Sequence, residues 1–142
     1  RKPRAVAEGI LNRPALATMG IFGIAIALVT LGTYGGALAQ GADDATAKTL
    51  FFTTLVMARI ANGFACRSLT RSTFRMRLTA NRALLASIMV TVALVLAVST
   101  VPFLREVFDL APLSGGHWLV ALAGAAVVLL VTEVHKVVVR RR

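Results

Sequence analysis

Four apolar runs, each close to the thickness of a bilayer core, constrain this chain more than any other feature of it. They lie at about residues 15–38, 49–66, 83–104 and 118–139. At about 1.5 Å of rise per residue, about 20 residues carry a helix across about 30 Å of hydrocarbon. None of the runs alternates apolar and polar residues, and a barrel strand needs only about 10. The expected fold is therefore an all-α membrane protein, with four transmembrane helices in an antiparallel bundle. Composition agrees, because 57% of the residues are hydrophobic and 15% charged, against about 45–50% apolar and about 25% charged in a soluble domain. That apolar excess exceeds what a globule of 142 residues can bury.

The run boundaries have physical causes. Pro14 suits a helix start, where its missing N–H breaks no bond. The stretch "GGALAQGADD" at 35–44 reads as a solvated loop, and Asn81 is placed to cap the third span. Pro102 kinks or ends that span near one interface. "APLSGGH" is a turn-rich connection, with Ser114 to Gly116 ahead of the fourth helix. Gly32 and Gly36, after Gly20 and Gly23, have the small-residue spacing that lets helices approach closely in lipid. Thr33 and Tyr34 beside them read as interface residues. The chain divides into an approach segment 1–14, a four-helix domain 15–139 with a basic loop at 67–82, and a basic tail 140–142.

The net charge of +10 is distributed between the runs. There is no basic stripe interleaved with aromatics, which sets nucleic-acid binding aside. Arg1, Lys2, Arg4 and Arg13 precede the first span. Arg67, Arg71, Arg75, Arg77 and Arg82 lie between the second and third, and Lys136 and Arg140 to Arg142 close the chain. The two other loops hold only Lys48 and Arg105, so thirteen basic residues fall on one side and two on the other. By the positive-inside rule both termini are cytoplasmic. The 67–82 loop is also placed to meet anionic lipid, at about 1 kcal/mol per basic residue near the surface, although the positive-inside rule explains the same charges without a partner. The single cysteine, Cys66, permits no intrachain disulfide and reads as a small packing residue. The chain opens on Arg1, with no signal-peptide layout, and is expected to be a piece of a longer protein.

Arg59 breaks the second run. It lies eight residues before Arg67, about 12 Å of helical rise, near the midplane. An arginine there costs about 2.5–3.5 kcal/mol on insertion scales, and such residues normally face a bundle interior or wet cavity and have a partner. The local partner is Asn62, three residues on and on the same helical face. One amide does not neutralise a guanidinium, so a carboxylate outside this chain is expected. Two roles fit, a transport site and a structural arginine bonded to backbone carbonyls. His117 and His135 are eighteen residues apart on one helix, about 27 Å, and cannot share a metal. No Cys/His cluster has ligand spacing, so no metal site is assigned. His117 beside Trp118 reads as an interface anchor. Glu133, His135 and Lys136 form a polar helix end, with Glu133 paired to Lys136 and the group placed to grip a cytoplasmic domain. Neither GxxxxGK[ST] nor GxGxxG occurs. No Ser/His/Asp set can be assembled, and no catalytic residue or cofactor is assigned to this segment.

"AKTLFFTTLVMARIANGFACRS", a basic loop, and then "NRALLASIMVTVALVLAVSTVPFLREVFDLAPLSGGHWLVALAGAAVVLLVTEVHK" resemble the C-terminal membrane region of P-type cation-transporting ATPases. The subgroup is the calcium-pump type, the sarco/endoplasmic-reticulum and secretory-pathway pumps and their bacterial relatives. "EGILNRPAL" also fits the approach to that family's seventh membrane helix. The most specific points are T-T-L-V…N…C-R-S, V-P-F-L…F…P-L…W, and E-V-H-K followed by arginines. The resemblance implies that the spans are helices seven to ten, that both termini are cytoplasmic, and that the membrane is a bacterial plasma membrane. It implies a parent using ATP and Mg, with a D-K-T-G-T phosphorylation motif, a T-G-E-S loop, a nucleotide-binding domain and six earlier helices as partners of this segment. None of these is in this chain, which by itself is expected to be inactive. In two-site calcium pumps the eighth helix supplies a glutamate ligand three residues before an asparagine. Here the asparagine is Asn62 and the matching position is Arg59, which cannot ligate a cation, so one ion per cycle is implied. The competing readings are an independent four-helix membrane protein, either a small exporter or an assembly subunit, and a membrane-anchored binding module using the basic loop.

Overall fold

Pro14 stands in the first turn of α1 (Arg13–Ala39), where it deprives the helix of no hydrogen bond. The structure, a computed structural model, describes residues 13–65 and 82–141. The expectations for residues 1–12, Cys66, the 67–81 stretch and Asn81 fall outside them. The remaining helices are α2 (Asp44–Ala65), α3 (Arg82–Thr100), α4 (Pro102–Val107) and α5 (Gly115–Arg141), and no strand occurs among the described residues. Among the described residues two helices are long and apolar enough to cross a membrane, α1 over Leu16–Ala39 and α5 over Gly115–Val139.

The helix ends follow from local chemistry. α1 continues through Gly35 and Gly36 to Ala39, so only the end of the expected 35–44 loop is non-helical. It stops at Gly41, whose φ of 83° is the left-handed conformation that glycine adopts without strain. The Gly41 N–H donates to the Leu38 carbonyl at 3.0 Å and the Ala42 N–H to the Ala37 carbonyl at 3.0 Å, which closes the helix. Asp43 caps the next helix, accepting from the Thr46 N–H at 3.2 Å and the Thr46 hydroxyl at 2.6 Å. α2 therefore starts at Asp44, five residues ahead of its apolar run. Asp44 lies at the positive end of the helix dipole, pairs with Lys48, and accepts a 2.8 Å hydrogen bond from the Tyr34 hydroxyl of α1.

Pro102 ends one helix and begins another. The residue before a proline is driven out of the helical region; Val101 is extended, with ψ 118°, and Pro102 opens α4. The third span expected at 83–104 is thus broken at Thr100. α4 closes as α1 does, with Asp109 at φ 52° and the Leu110 N–H donating to the Arg105 carbonyl at 2.9 Å. Ser114 and His117 start α5 reciprocally. The His117 N–H donates to Ser114 Oγ at 3.4 Å and the Ser114 N–H to His117 Nδ1 at 3.3 Å, a capping box with histidine in the usual place of glutamate. His117, expected as an interface anchor, works in this structure as a cap.

α1, α2 and α5 form one packed group, with the most extensive contact between α2 and α5. Ala37, Ala47, Leu50 and Ala121 cluster at one end, and Ile26, Ala58 and Val128 nearer the middle. These pairings make α1 antiparallel to both neighbours and α2 parallel to α5. α3 stands to one side, packing chiefly on α4 and only lightly on α2. Among the described glycines, the closest approach is at Gly124 of α5. A Cβ there would lie 2.8 Å from Thr54 Cγ2 and 3.0 Å from Val29 Cγ1. By contrast, a Cβ at Gly20, Gly23, Gly32 or Gly36 meets nothing within 4 Å. The expected close packing at the α1 glycines is not made among the described residues. Gly32 and Gly36 instead line an open groove of about 740 Å³, with Gln40, Asp43 and His117 at its rim.

Gly124→Ala is expected to destabilise the helix group by about 1–3 kcal/mol through overpacking. Gly32→Ala is expected to be neutral or to stabilise by up to about 1 kcal/mol through helix propensity. Thermal unfolding in detergent, followed by circular dichroism, checks both. The Thr46 hydroxyl and amide hold the Asp43 carboxyl below its ordinary value of 3.8. A lowered carboxyl stabilises fully above its unfolded value, and that contribution fades as the pH falls through the folded one. The Thr46 amide proton shift is therefore expected to titrate with a midpoint below 3.8, and Asp43→Asn to abolish that titration.

Candidate functional site

α2 presents two chemically distinct faces. At about 100° per residue, Ala47, Thr49, Leu50, Thr53, Thr54, Ala58 and Ala65 fall on one side, and all are buried. Ala45, Lys48, Phe52, Arg59 and Gly63 fall on the other, and all are exposed. α1 and α5 cover the first face and leave the second open.

The buried face is lined with hydroxyls. Thr49 Oγ1 donates to the Ala45 carbonyl at 2.8 Å and accepts from the Ala111 N–H at 2.9 Å, tying the segment after α4 to α2. Thr30 and Thr132 turn their hydroxyls back onto their own helices, to the Ile26 carbonyl at 2.8 Å and the Val128 carbonyl at 2.9 Å. The hydroxyls of Thr53 and Thr54 are buried and have no hydrogen-bond partner among the described residues. An unsatisfied buried hydroxyl costs about 1–3 kcal/mol. The Thr-Thr pair of the sequence motif is thus interior, with the Thr54 methyl against Gly124.

Arg59 lies on the open face, next to the fully buried Ala58. Its side chain is exposed. Asn62, one turn on, is half-buried.

The second polar group is where α5 nears its end beside the start of α1. Lys136 is only 3% exposed, and its ammonium donates to Glu133 Oε1 at 2.9 Å, so the pairing expected from the sequence is present. His135 Nε2 is 3.1 Å from Thr18 Oγ1, and its ring meets Phe22 edge-on at 5.4 Å. The E-V-H-K motif therefore joins α5 to α1. The sequence reading missed Thr18 and Phe22, because only the antiparallel pairing of two distant helices brings them to His135. Arg59 and Asn62 are on a different helix from this group. Among the described residues no group of three or more His, Cys, Asp or Glu side chains is placed to hold a metal ion.

Two bilayer-length apolar helices among the described residues fit a membrane-embedded segment. The family model "Cation transporting ATPase, C-terminus" matches residues 1–138, and the chain belongs to that family. It is 29% identical over 96% of its length to calcium-transporting ATPase 1 of Lactococcus lactis. It is 30% identical over 96% of its length to calcium-transporting ATPase type 2C member 2 of Mus musculus, and 32% identical over 68% to the probable cation-transporting ATPase F of Mycobacterium tuberculosis. The matched regions are 15%, 14% and 11% of those proteins, so this chain spans only a small part of the length of its relatives.

Breaking a buried ion pair from one side is costly, because the remaining charge stays desolvated. Glu133→Gln is expected to lower stability by about 3 kcal/mol, and Glu133→Gln with Lys136→Met to recover most of that loss. Unfolding of the three proteins in detergent measures the difference.

Proposed function

We propose that this chain is the C-terminal set of membrane helices of an ATP-driven cation pump, and that it carries a fixed positive charge where related pumps carry an ion ligand. α1, α2, α3 and α5 are its four spans, with both termini in the cytoplasm and the 67–82 loop at the anionic cytoplasmic lipid surface. The family match over residues 1–138 supports this reading, as do the thirteen basic residues gathered on one side. ATP and Mg are used by domains outside the chain. The bacterial relatives support a bacterial plasma membrane as its location.

The observation that carries the mechanism is the open face of α2. A guanidinium near a membrane midplane costs about 2.5–3.5 kcal/mol. A carboxylate at 4 Å returns about 4 kcal/mol at an effective dielectric constant of about 20. Exposed on a face that α1 and α5 leave free, Arg59 is positioned to receive such a carboxylate from a helix outside this chain. Bound there, it supplies one positive charge to acidic ligands and takes the place of one transported cation. Glu133, His135 and Lys136 steady the cytoplasmic end and meet a cytoplasmic domain of the pump.

The test is Arg59→Glu in the complete pump, reconstituted in vesicles, with cations moved per ATP measured against pH. Transport is expected to rise from one ion per cycle to two. An unchanged stoichiometry and pH profile would show that Arg59 is structural only.

A further inference from the structure

α4 and the residues around it carry an apolar surface that is exposed among the described residues. Phe103 is 70% exposed, the most exposed of the large apolar side chains, with Val107 at 62% and Phe108 at 58%. Phe103 and Val107 are four residues apart and share one face of the helix, Leu104 beside Val107 and Arg105 on the opposite side are half-buried, and Phe108 follows the last turn. The face is also held in place. Pro102 fixes where α4 begins, the Leu110 N–H closes its end on the Arg105 carbonyl, and the 2.9 Å bond from the Ala111 N–H to Thr49 Oγ1 fastens the returning segment to α2. A loose loop would be free to fold these side chains inward; this one presents them outward on a braced support.

The segment joins the end of α3 to the start of α5. On the four-span reading proposed above, it therefore lies at the non-cytoplasmic surface of the bilayer. We propose that Phe103, Val107 and Phe108 form an interfacial membrane anchor, seated in the glycerol and upper acyl region of the outer leaflet. A short amphipathic element with aromatic and aliphatic residues on one face and charge beside it lies in the interface plane in this way. The surface is continuous with membrane helices, since Val101 at the α3 junction is itself exposed. Glu106 and Asp109, also exposed, remain on the aqueous side. α4 then acts as a float that fixes the height of the α3–α5 connection and, through Thr49, the outer end of α2.

The test is spin labelling of the complete pump in phosphatidylcholine vesicles, with its own cysteines replaced. Single labels enter at Phe103→Cys, Val107→Cys, Glu106→Cys and Leu94→Cys. Collision with oxygen is compared with collision with a water-soluble nickel chelate. Positions 103 and 107 are expected to favour oxygen over nickel, with a depth parameter smaller than that at 94, while position 106 favours nickel. Two sites on the apolar face guard against one label disturbing the fold. Labels at 103 and 107 immobilised and reached by neither reagent would show that another part of the pump covers the face, which overturns the anchor. Nickel collision at 103 and 107 as high as at 106 would show a wet face and also overturns it. If position 94 itself is wet, the four-span reading fails; if 94 is deep and 103 is wet, only the anchor fails.

Discussion

The contact of Gly124 with Thr54 and Val29 sets the geometry of everything else described. Apolar helices in lipid gain nothing from hiding apolar surface from one another, so their association depends on close packing and hydrogen bonds. At Gly124 the missing side chain lets α5 meet α1 and α2 at one level. Above it, Ala37, Leu50 and Ala121 meet, and below it Ile26, Ala58 and Val128. The continuing pairing brings His135 to Thr18. One close approach thus fixes the register of three helices along most of their length.

The same contact decides what α2 leaves uncovered. Once its alanine and threonine face is committed to α1 and α5, the opposite face with Lys48, Phe52 and Arg59 has no partner within the group. The polarity of α2 follows the same division. The Thr49 hydroxyl is met by the Ala45 carbonyl and the Ala111 N–H, those of Thr53 and Thr54 are buried without a partner among the described residues, and the charge is kept outside. A helix with this many polar groups is a weak candidate for a lone membrane span, and α2 is not among the described helices that meet the length and apolarity expected of one.

The three motifs that suggested the family each correspond to a junction. Thr53 and Thr54 lie in the α2 interior, Val101 and Pro102 form the break before α4, and Glu133, His135 and Lys136 close the far end against α1. Proline chemistry is local, so the stop at Pro102 was legible from the sequence, and so was the pairing of Glu133 with Lys136 three residues away. The exposure of Arg59 was not, because neighbouring helices decide which side of α2 is covered, and spacing along one helix does not show it. Gly124 was also hidden. It sits in "LAGAAVV", where its neighbours are nearly as small, while Gly32 and Gly36 have the more conspicuous spacing and meet nothing. A glycine matters for packing only through what stands opposite it, and Thr54 is seventy residues away. The early start of α2 was missed for a simpler reason: Asp43 begins the helix in a polar turn that a hydrophobic run does not include.

The bond between Thr49 and Ala111 spans 62 residues, and this separation bears on how the fold is assembled. α1 and α2 leave the ribosome well before α5 exists. During that interval the alanine and threonine face of α2 has only α1 beside it, and Thr49 lacks the backbone N–H it will accept. Of the three packed helices, α5 is made last, and it completes the interior by closing the Gly124 contact after the residue 111 segment has come against α2. A chain cut short before Ala111 would leave the hydroxyl-lined side of α2 without α5, a surface by which incomplete copies can be told from finished ones.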